Sequence, residues 1–456
     1  MKGSSVNKAV AIDLGASSMR YALGEYQDGQ IRYEIIEQVP NAALETNGRW
    51  TWDADKLLDF CRCAESKAMQ TGRSCTIGID SWGVDHGFIG FDGSLTQQVV
   101  AYRDPSHVRW FDRLSPNRHR LFELTGIQHQ PFNTIYQLAA RMEEDPDLRF
   151  KAKCFLLLPD LLNYLLTGNV NCEFTQCSTT QLMGLDGKWC EEAFRLIDWP
   201  LPDQVPAMPG HVIGATQSGV PVVSVGSHDT ASGVCGLGSL TQTTAFLNIG
   251  TWTLLGSLVD QPITNSAAQS ANFTNERAVD GRVRFLDNIP GFYIANRLYN
   301  ELPVSSPLGE WLAHFEPSYL DSADLFHETL YNPRSMSETL VALVDRPPSN
   351  EAEFAALALN SMSAAIDQQL GHLEKATGER MEEIRAGGGG SGSATLCQML
   401  ADRLQRPIVA GPQEATLLGN LGMQFLSQGV IDGFEDLAKV IDRSTTHVRY
   451  EPQGTV

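Results

Sequence analysis

The feature that most constrains this chain is a motif that occurs twice. "AIDLGASSMRYAL" (11–23) and "AFLNIGTWTLLGSL" (245–258) both read as an apolar strand, a polar residue (Asp13 or Asn248), one apolar residue, a glycine (Gly15 or Gly250), then small or hydroxyl side chains. A strand closed by a tight glycine turn is a local arrangement open to many folds. Its return 235 residues later, about half of a 456-residue chain, points to two similar halves with a cleft between them. Chance similarity of short strand–turn segments competes with that reading, and the echo alone leaves both open. The length itself exceeds what one core usually covers, so two or three domains are expected.

Local patterns around the first copy predict strand, hairpin, helix, strand. "KAVAIDLG" (8–15) is a short apolar run ending in a turn, and two apolar stretches flank Asp28-Gly29, a hairpin signal. Residues 53 to 70 read as a helix capped by Asp53, and "CTIGIDSWGVDHGFIGFDG" returns to strand character with a turn at Asp92-Gly93. Four prolines in "DWPLPDQVPAMPGHVIG" (198–214) mark the middle of the chain. Towards the C-terminus, residues 351–378 predict a long helix, "EEIRAGGGG" a short strand, and "SATLCQMLADRL" a helix with Leu396, Met399, Leu400 and Leu404 on one face. The class is α/β.

Several functions are disfavoured by composition. A formal net charge of -20 would repel a polyanion, so nucleic acid is not an expected partner. No stretch approaches 18 uninterrupted apolar residues, which predicts no membrane span, and the N-terminus has too short an apolar run for a signal peptide. Nine dispersed cysteines with no C-x-x-C pair read as reduced thiols in a cytoplasmic protein. H-E-x-x-H, G-x-S-x-G and G-x-x-x-x-G-K-[ST] are all absent from the sequence, leaving zinc hydrolase, esterase and Walker-type nucleotidase readings without support.

Three stretches can carry chemistry. In "DLGASSMR" (13–20) an acid at a strand end precedes a small-residue turn, which can set Asp13 beside a metal-bound phosphate with Ser17 and Ser18 toward its oxygens. A plain hairpin turn is the alternative. In "VGSHDTASG" (225–233) a strand delivers His228, Asp229 and Thr230 to a helix start, where Asp229 is placed as a base for a hydroxyl or is simply a helix cap. In "IDSWGVDH" (79–86), Asp80 and Asp85 offer acceptors for sugar hydroxyls, Trp82 an apolar face and Gly83 close backbone approach; a strand edge with a packed tryptophan competes. His86 is expected at the surface or in the core rather than in catalysis. The run "AGGGGSGSATLCQML" (386–400) fits a dinucleotide fingerprint through Gly387, Gly389 and Gly392, a flexible linker, or a turn lying against a nucleotide.

Taken together, "AIDLGASSMR", "IGIDSWGVD", "SHDTAS", "IGTWTLLG", "NFTNE" and "AGPQEATLLGN", in this order and spread over nearly the whole chain, resemble the FGGY family of carbohydrate kinases, and within it the branch acting on L-rhamnulose. The resemblance implies two ribonuclease-H-like domains of the actin and hexokinase superfamily with a central cleft, divided as residues 1–235 and 236–456. It implies phosphorylation of L-rhamnulose at O1 by ATP with Mg²⁺, two domains closing around the sugar, and a cytoplasmic monomer or homodimer.

Family roles carried across by motif make Asp229 the proton acceptor, with Gly83, His228, Thr230 and Asn288 touching sugar. Ala16, Ser17, Ser18, Met19, Arg20 and Thr251 fall where relatives meet the ATP phosphates, Asn296 and Gly389 where they meet nucleotide, and Asp13 where they hold the metal through water. The chain departs from the family pattern at Met19 (a glycine in relatives), at His86 (another aromatic), at Asn296 (a glutamine) and in the glycine run. These departures bear on which ketose is preferred, L-fuculose being an alternative. A non-catalytic sugar-responsive regulator is a more distant reading, disfavoured by the presence of Asp229. A nicotinamide-dependent dehydrogenase would need the glycine fingerprint within a full βαβ unit, which the sequence reading does not supply.

Overall fold

The computed structural model describes residues 6–71, 75–330 and 333–454. These form two compact units that are not contiguous in sequence. The first takes the described residues up to Ser239, Val259–Arg284 and Ala415–Ser444; the second takes Leu240–Leu258, Phe285–Glu414 and the described residues from Thr445.

In the first unit, the strand Asn7–Leu14 forms an antiparallel hairpin with Ser18–Gln27, which continues antiparallel to Gln30–Pro40. The second turn is the predicted one: Asp28 and Gly29 both take positive φ, 54° and 76°, the left-handed pair that a two-residue hairpin turn requires. Asn7–Leu14 also pairs in parallel with Thr76–Ser81, which pairs in parallel with Pro221–Val223, and Val212–Ala215 closes the edge antiparallel.

In the second unit, Thr244–Ile249 forms the same antiparallel hairpin with Trp252–Val259 and the same parallel pairing with a distant strand, here Glu383–Gly387. A further parallel strand, Ile408–Ala410, and an antiparallel edge, Val448–Tyr450, complete the series. Asp13 sits opposite Asp80, and Asn248 opposite Gly387, at matching positions. Pairing patterns that repeat strand for strand make the sequence echo a structural duplication.

Period-two alternation explains how the first strand packs. Val10, Ile12 and Leu14 enter one apolar cluster, whereas Ala9 and Ala11 enter another with Leu417, Leu418 and Leu421 of the helix Ala415–Ser427. Each fully buried branched side chain contributes roughly 1.5–3 kcal/mol. The small residues on the second face let that helix come close: a Cβ at Gly78 would lie 3.0 Å from Asn420 Oδ1.

Other predicted elements are present. The helix Ala54–Thr71 follows Asp53, whose Oδ1 accepts from Lys56 N at 3.0 Å. Glu351–Thr377 runs from an Asn350 cap to Gly378 in the left-handed conformation. The helix Ala394–Leu404 buries Leu396, Leu400 and Leu404 as expected, with Cys397 in the apolar face and Met399 only partly covered. All nine cysteines are free thiols. Among the described residues, no helix is long and apolar enough to cross a membrane.

Candidate active site

The first turn is compact. Gly15 N donates to Ser18 O at 2.9 Å, and a Cβ at Gly15 would lie 2.7 Å from that same oxygen, so a side chain cannot be accommodated without displacing the backbone. Asn41 clamps the turn from outside, donating its side-chain amide to Gly15 O and its backbone N–H to Ser17 O. Ser17 is exposed, and Ala16 and Ser18 are partly exposed. Met19 is not in the loop's opening at all: its side chain is 1% exposed and lies in the large-residue cluster with Leu14. Its departure from glycine therefore changes the core behind the turn, and only its backbone is available to a phosphate. Arg20 returns across the hairpin to Asp13, with Nε and Nη2 at 2.8 and 2.7 Å from Asp13 Oδ2.

Three carboxylates converge behind this turn. Asp80, fully buried on the neighbouring strand, has its carboxyl pushed well above the usual range, first by burial and then by the charges of Asp13 and Asp229. Asn420, reaching in from the helix Ala415–Ser427, donates to Asp80 Oδ2 at 2.6 Å and to Gly78 O at 3.2 Å. Among the described residues, no cluster of three or more His, Cys, Asp or Glu is arranged to hold a metal unaided. A single carboxylate ligand, here Asp13 beside its Arg20 partner, suits Mg²⁺, which keeps its waters and is usually shared with substrate phosphates.

His228 and Asp229 stand at the start of the short helix Asp229–Cys235. The capping alternative does not hold: His228 is the N-cap residue, makes no side-chain cap bond, and Asp229 is the first helical residue. The Asp229 carboxylate accepts from Thr230 Oγ1 at 3.0 Å, approaches His228 Nε2 at 3.5 Å and keeps a third of its side chain exposed. The helix is held by backbone-to-backbone contact. A Cβ at Gly236 would stand 1.9 Å from Ala415 O, and one at Gly419 the same distance from Ser232 O.

Gly83 faces this pair. A Cβ there would lie 3.3 Å from His228 Nε2 and 3.2 Å from Thr179 Oγ1, so its lack of side chain keeps the space in front of His228 clear. The next residue, Val84, has φ 70°, an unusual conformation for a β-branched side chain, with its carbonyl held by Thr134 Oγ1 at 2.7 Å.

Asp85 turns out otherwise than the sugar-acceptor reading expects. It is fully buried and accepts from the indoles of Trp52 and Trp82 at 2.6 and 2.8 Å and from Gln137 at 3.2 Å; burial pushes it up to about 7. Its lone pairs serve the packing of two tryptophans, and Trp82 is 7% exposed. His86 is a core residue, edge-on to Phe88 and Phe155, lowered to about 4 by burial.

The segment that ties these strand ends together was not singled out in the sequence. Glu173 accepts from Thr175 N, Thr175 Oγ1, Gln176 N and Ser227 N. Gln176 Nε2 spans the carbonyls of Ser81, Trp82 and Ser227, and Thr175 Oγ1 receives His228 N. Its signal was a polar run, "CEFTQCSTTQ", with no glycine or proline to make it a loop.

In the second unit, Gly250 and Thr251 form the corresponding turn. Their carbonyls accept from Phe292 N and Tyr293 N, the first residues of the helix Phe292–Glu301, at 3.2 and 2.9 Å. Asn296 is partly exposed on that helix and Asn288 partly exposed on the strand Val283–Pro290.

The glycine run follows the strand Glu383–Gly387. Gly388 takes φ 77° with Asn248 Oδ1 2.5 Å from its virtual Cβ, and a Cβ at Gly390 would meet Ile249 Cγ2 at 2.3 Å. Gly389 alone of these three is exposed with open space at its Cβ position. The linker reading fails, since the run lies between packed elements. The expected lack of a βαβ unit is also corrected: Glu383–Gly387, the helix Ala394–Leu404 and the parallel strand Ile408–Ala410 make one.

Comparison with known proteins decides the class. The FGGY family of carbohydrate kinases matches through its N-terminal domain over residues 8–236 and its C-terminal domain over 245–427. This chain belongs to that family and is a sugar kinase, a phosphotransferase of the actin and hexokinase fold. It is 33% identical to a rhamnulokinase of Klebsiella pneumoniae (strain 342), over 98% of this chain and 95% of that protein. The fold is shared with gluconate kinase from Lactobacillus acidophilus (TM-score 0.82, 16% identity, 98% and 94% of the two chains). It is shared too with Plasmodium falciparum glycerol kinase solved with ADP (TM-score 0.79, 14% identity, 98% and 94%).

Proposed function

We propose that this kinase transfers the γ-phosphoryl group of ATP, bound with Mg²⁺, to the O1 hydroxyl of L-rhamnulose, giving L-rhamnulose 1-phosphate in cytoplasmic L-rhamnose catabolism. The observation that carries the substrate is the 33% identity with a rhamnulokinase over nearly the whole of both chains. In this reading residues 1–235 supply the first phosphate turn, the base and most sugar contacts, and residues 236–456 supply the second phosphate turn and the adenosine site.

Phosphoryl transfer asks little covalent chemistry of the protein and much positioning. Asp229, partly exposed and not used as a helix cap, orients the acceptor hydroxyl and takes its proton as the new bond forms. His228 and Thr230 flank it, Gly83 leaves room for the sugar, and Asn288 adds a further sugar contact. The turn from Ala16 through Ser17, Ser18 and the backbone of Met19 to Arg20 meets phosphate oxygens, as does Thr251. Asn296 and the open Gly389 meet the nucleotide. Asp13 would hold Mg²⁺ through water, and the ion would supply charge neutralisation on the phosphates. Arg20, already paired with Asp13, keeps that carboxylate fixed in direction.

The test is a panel of ketoses at equal concentration with ADP release as readout. L-rhamnulose should give the highest kcat/KM. Preference for L-fuculose would move the substrate to the alternative ketose, and no release with any ketose would favour the non-catalytic regulator.

A further inference from the structure

Behind His228 lies an ion pair that the reaction as described does not use. Arg284 is fully buried, its Nε donating to Arg277 O at 2.9 Å. Its Nη2 stands 3.1 Å from Glu276 Oε2 and 3.1 Å from His228 Nδ1, and Glu276 Oε2 is 3.2 Å from the same Nδ1. Both charges sit in a region where neither is readily solvated: Glu276 is 8% exposed, and although burial pushes its carboxyl up, Arg284 and His228 beside it together hold it below the ordinary range.

The three atoms form a triangle, yet only one edge has the direction of a hydrogen bond. Arg284 Nη2 and His228 Nδ1 meet in hydrogen-bond geometry, whereas Glu276 Oε2 lies at ion-pair distance from both without a directed bond. A guanidinium carries donors and no acceptor. Nδ1 must therefore be the acceptor, which puts the ring proton on Nε2, the nitrogen that faces Asp229 Oδ1 at 3.5 Å and the cleared space at Gly83.

We propose that Arg284, kept in place by Glu276, is a positioning residue that fixes His228 as its Nε2–H tautomer, so that the ring donates toward the sugar while Asp229 accepts. The use of that donor rests on the reading of Asp229 and His228 as sugar-side groups; the tautomer itself does not. The oxygen presented to His228 must then be one that can accept, a carbonyl or a hydroxyl lone pair, beside the hydroxyl whose proton Asp229 takes. A ring in the other tautomer would offer a lone pair there and compete with Asp229 for the same donor.

The experiment is ¹⁵N NMR of the full-length protein labelled at histidine ring nitrogens, the His228 signals being assigned by their loss in His228→Asn. Wild type should show an unprotonated Nδ1 and a protonated Nε2. Arg284→Gln, which leaves Glu276 without its cation, risks misfolding; the double variant E276M/R284M removes both charges, a replacement buried ion pairs often tolerate. In the folded double variant, where nothing donates to Nδ1, His228 should show a mixture of both tautomers in place of Nε2–H alone, with kcat down at least about tenfold, as when a histidine loses the group that holds its tautomer. The ATP KM should stay within about twofold of wild type. A protonated Nδ1 in wild type, or a folded double variant with unchanged tautomer and unchanged kcat, overturns the proposal. The NMR result stands apart from the function assigned to Asp229, which Asp229→Ala tests separately.

Discussion

Gly83 and His228 are opposed across two strand ends, with the virtual Cβ of Gly83 3.3 Å from His228 Nε2. Ser81 N donates to Ser227 O at 2.9 Å just behind them, and Gln176 bridges both chains, so neither side can retreat. Gly83→Val would place branched carbons where the sugar is proposed to lie. The sugar KM should rise at least about tenfold, the loss expected when one or two methyl groups exclude a ligand, while the ATP KM stays unchanged. Steady-state kinetics with each substrate varied in turn checks this, and equal effects on both would count against the assignment.

Asp229 offers a cleaner removal. Its carboxylate accepts from Thr230 and adds to the negative charge acting on buried Asp80. Asp229→Ala should leave the melting temperature unchanged or slightly higher while sugar-dependent ADP release falls by roughly 10³, within the range of general-base removal. Phosphorylation at the wild-type rate would sink the mechanism.

Within the glycine run, neighbouring positions separate function from folding. Gly389→Leu meets open space and should keep the wild-type melting temperature yet raise the ATP KM well above any change in the sugar KM. Gly390→Ala drives a methyl into Ile249 and Phe292 and should cost about 1–3 kcal/mol of stability. Thermal unfolding beside kinetics distinguishes the two, and a destabilised Gly389→Leu would contradict the geometry.

Glu173 makes stability depend on pH. Complete burial outweighs the donors from Thr175 and Gln176 and pushes its carboxyl up to about 8. The folded state then retains a proton that the unfolded chain, with an ordinary glutamate, has lost. Stability from this group is fully present below about 4.5 and is lost as pH rises through about 8. His86 and His129, both lowered to about 4, act in the opposite sense below about 6.5, so from pH 6.5 to 8 the raised carboxyls dominate, Glu173 together with buried Asp85 and Asp80. Glu173 alone should lower the unfolding free energy by about 2 kcal/mol across that range in wild type. Chemical denaturation of Glu173→Gln at the two pH values should show a flatter profile.

What the sequence determined by itself was whatever neighbours along the chain control. The apolar run at 8–15, Asp28-Gly29, the Asp53 cap and the long helix at 351–378 are each set by contacts within a few residues, and each was readable. The repeated turn motif likewise gave both strand-closing turns, and its strand pairings repeat with it.

Only the tertiary structure decided which acids are free. Asp80, Asp85 and Asp229 look alike in sequence, but Asn420 binds the first from 340 residues away, two tryptophans and Gln137 take the second, and the third keeps its exposed edge. Met19 likewise showed no sign in sequence that its side chain turns into the core. The roles of Glu173, Glu276 and Arg284 were not legible because each also meets a group, Ser227 or His228, more than 45 residues away. Desolvation depends on everything that surrounds a group in space, and a linear pattern carries only what stands beside it in the chain.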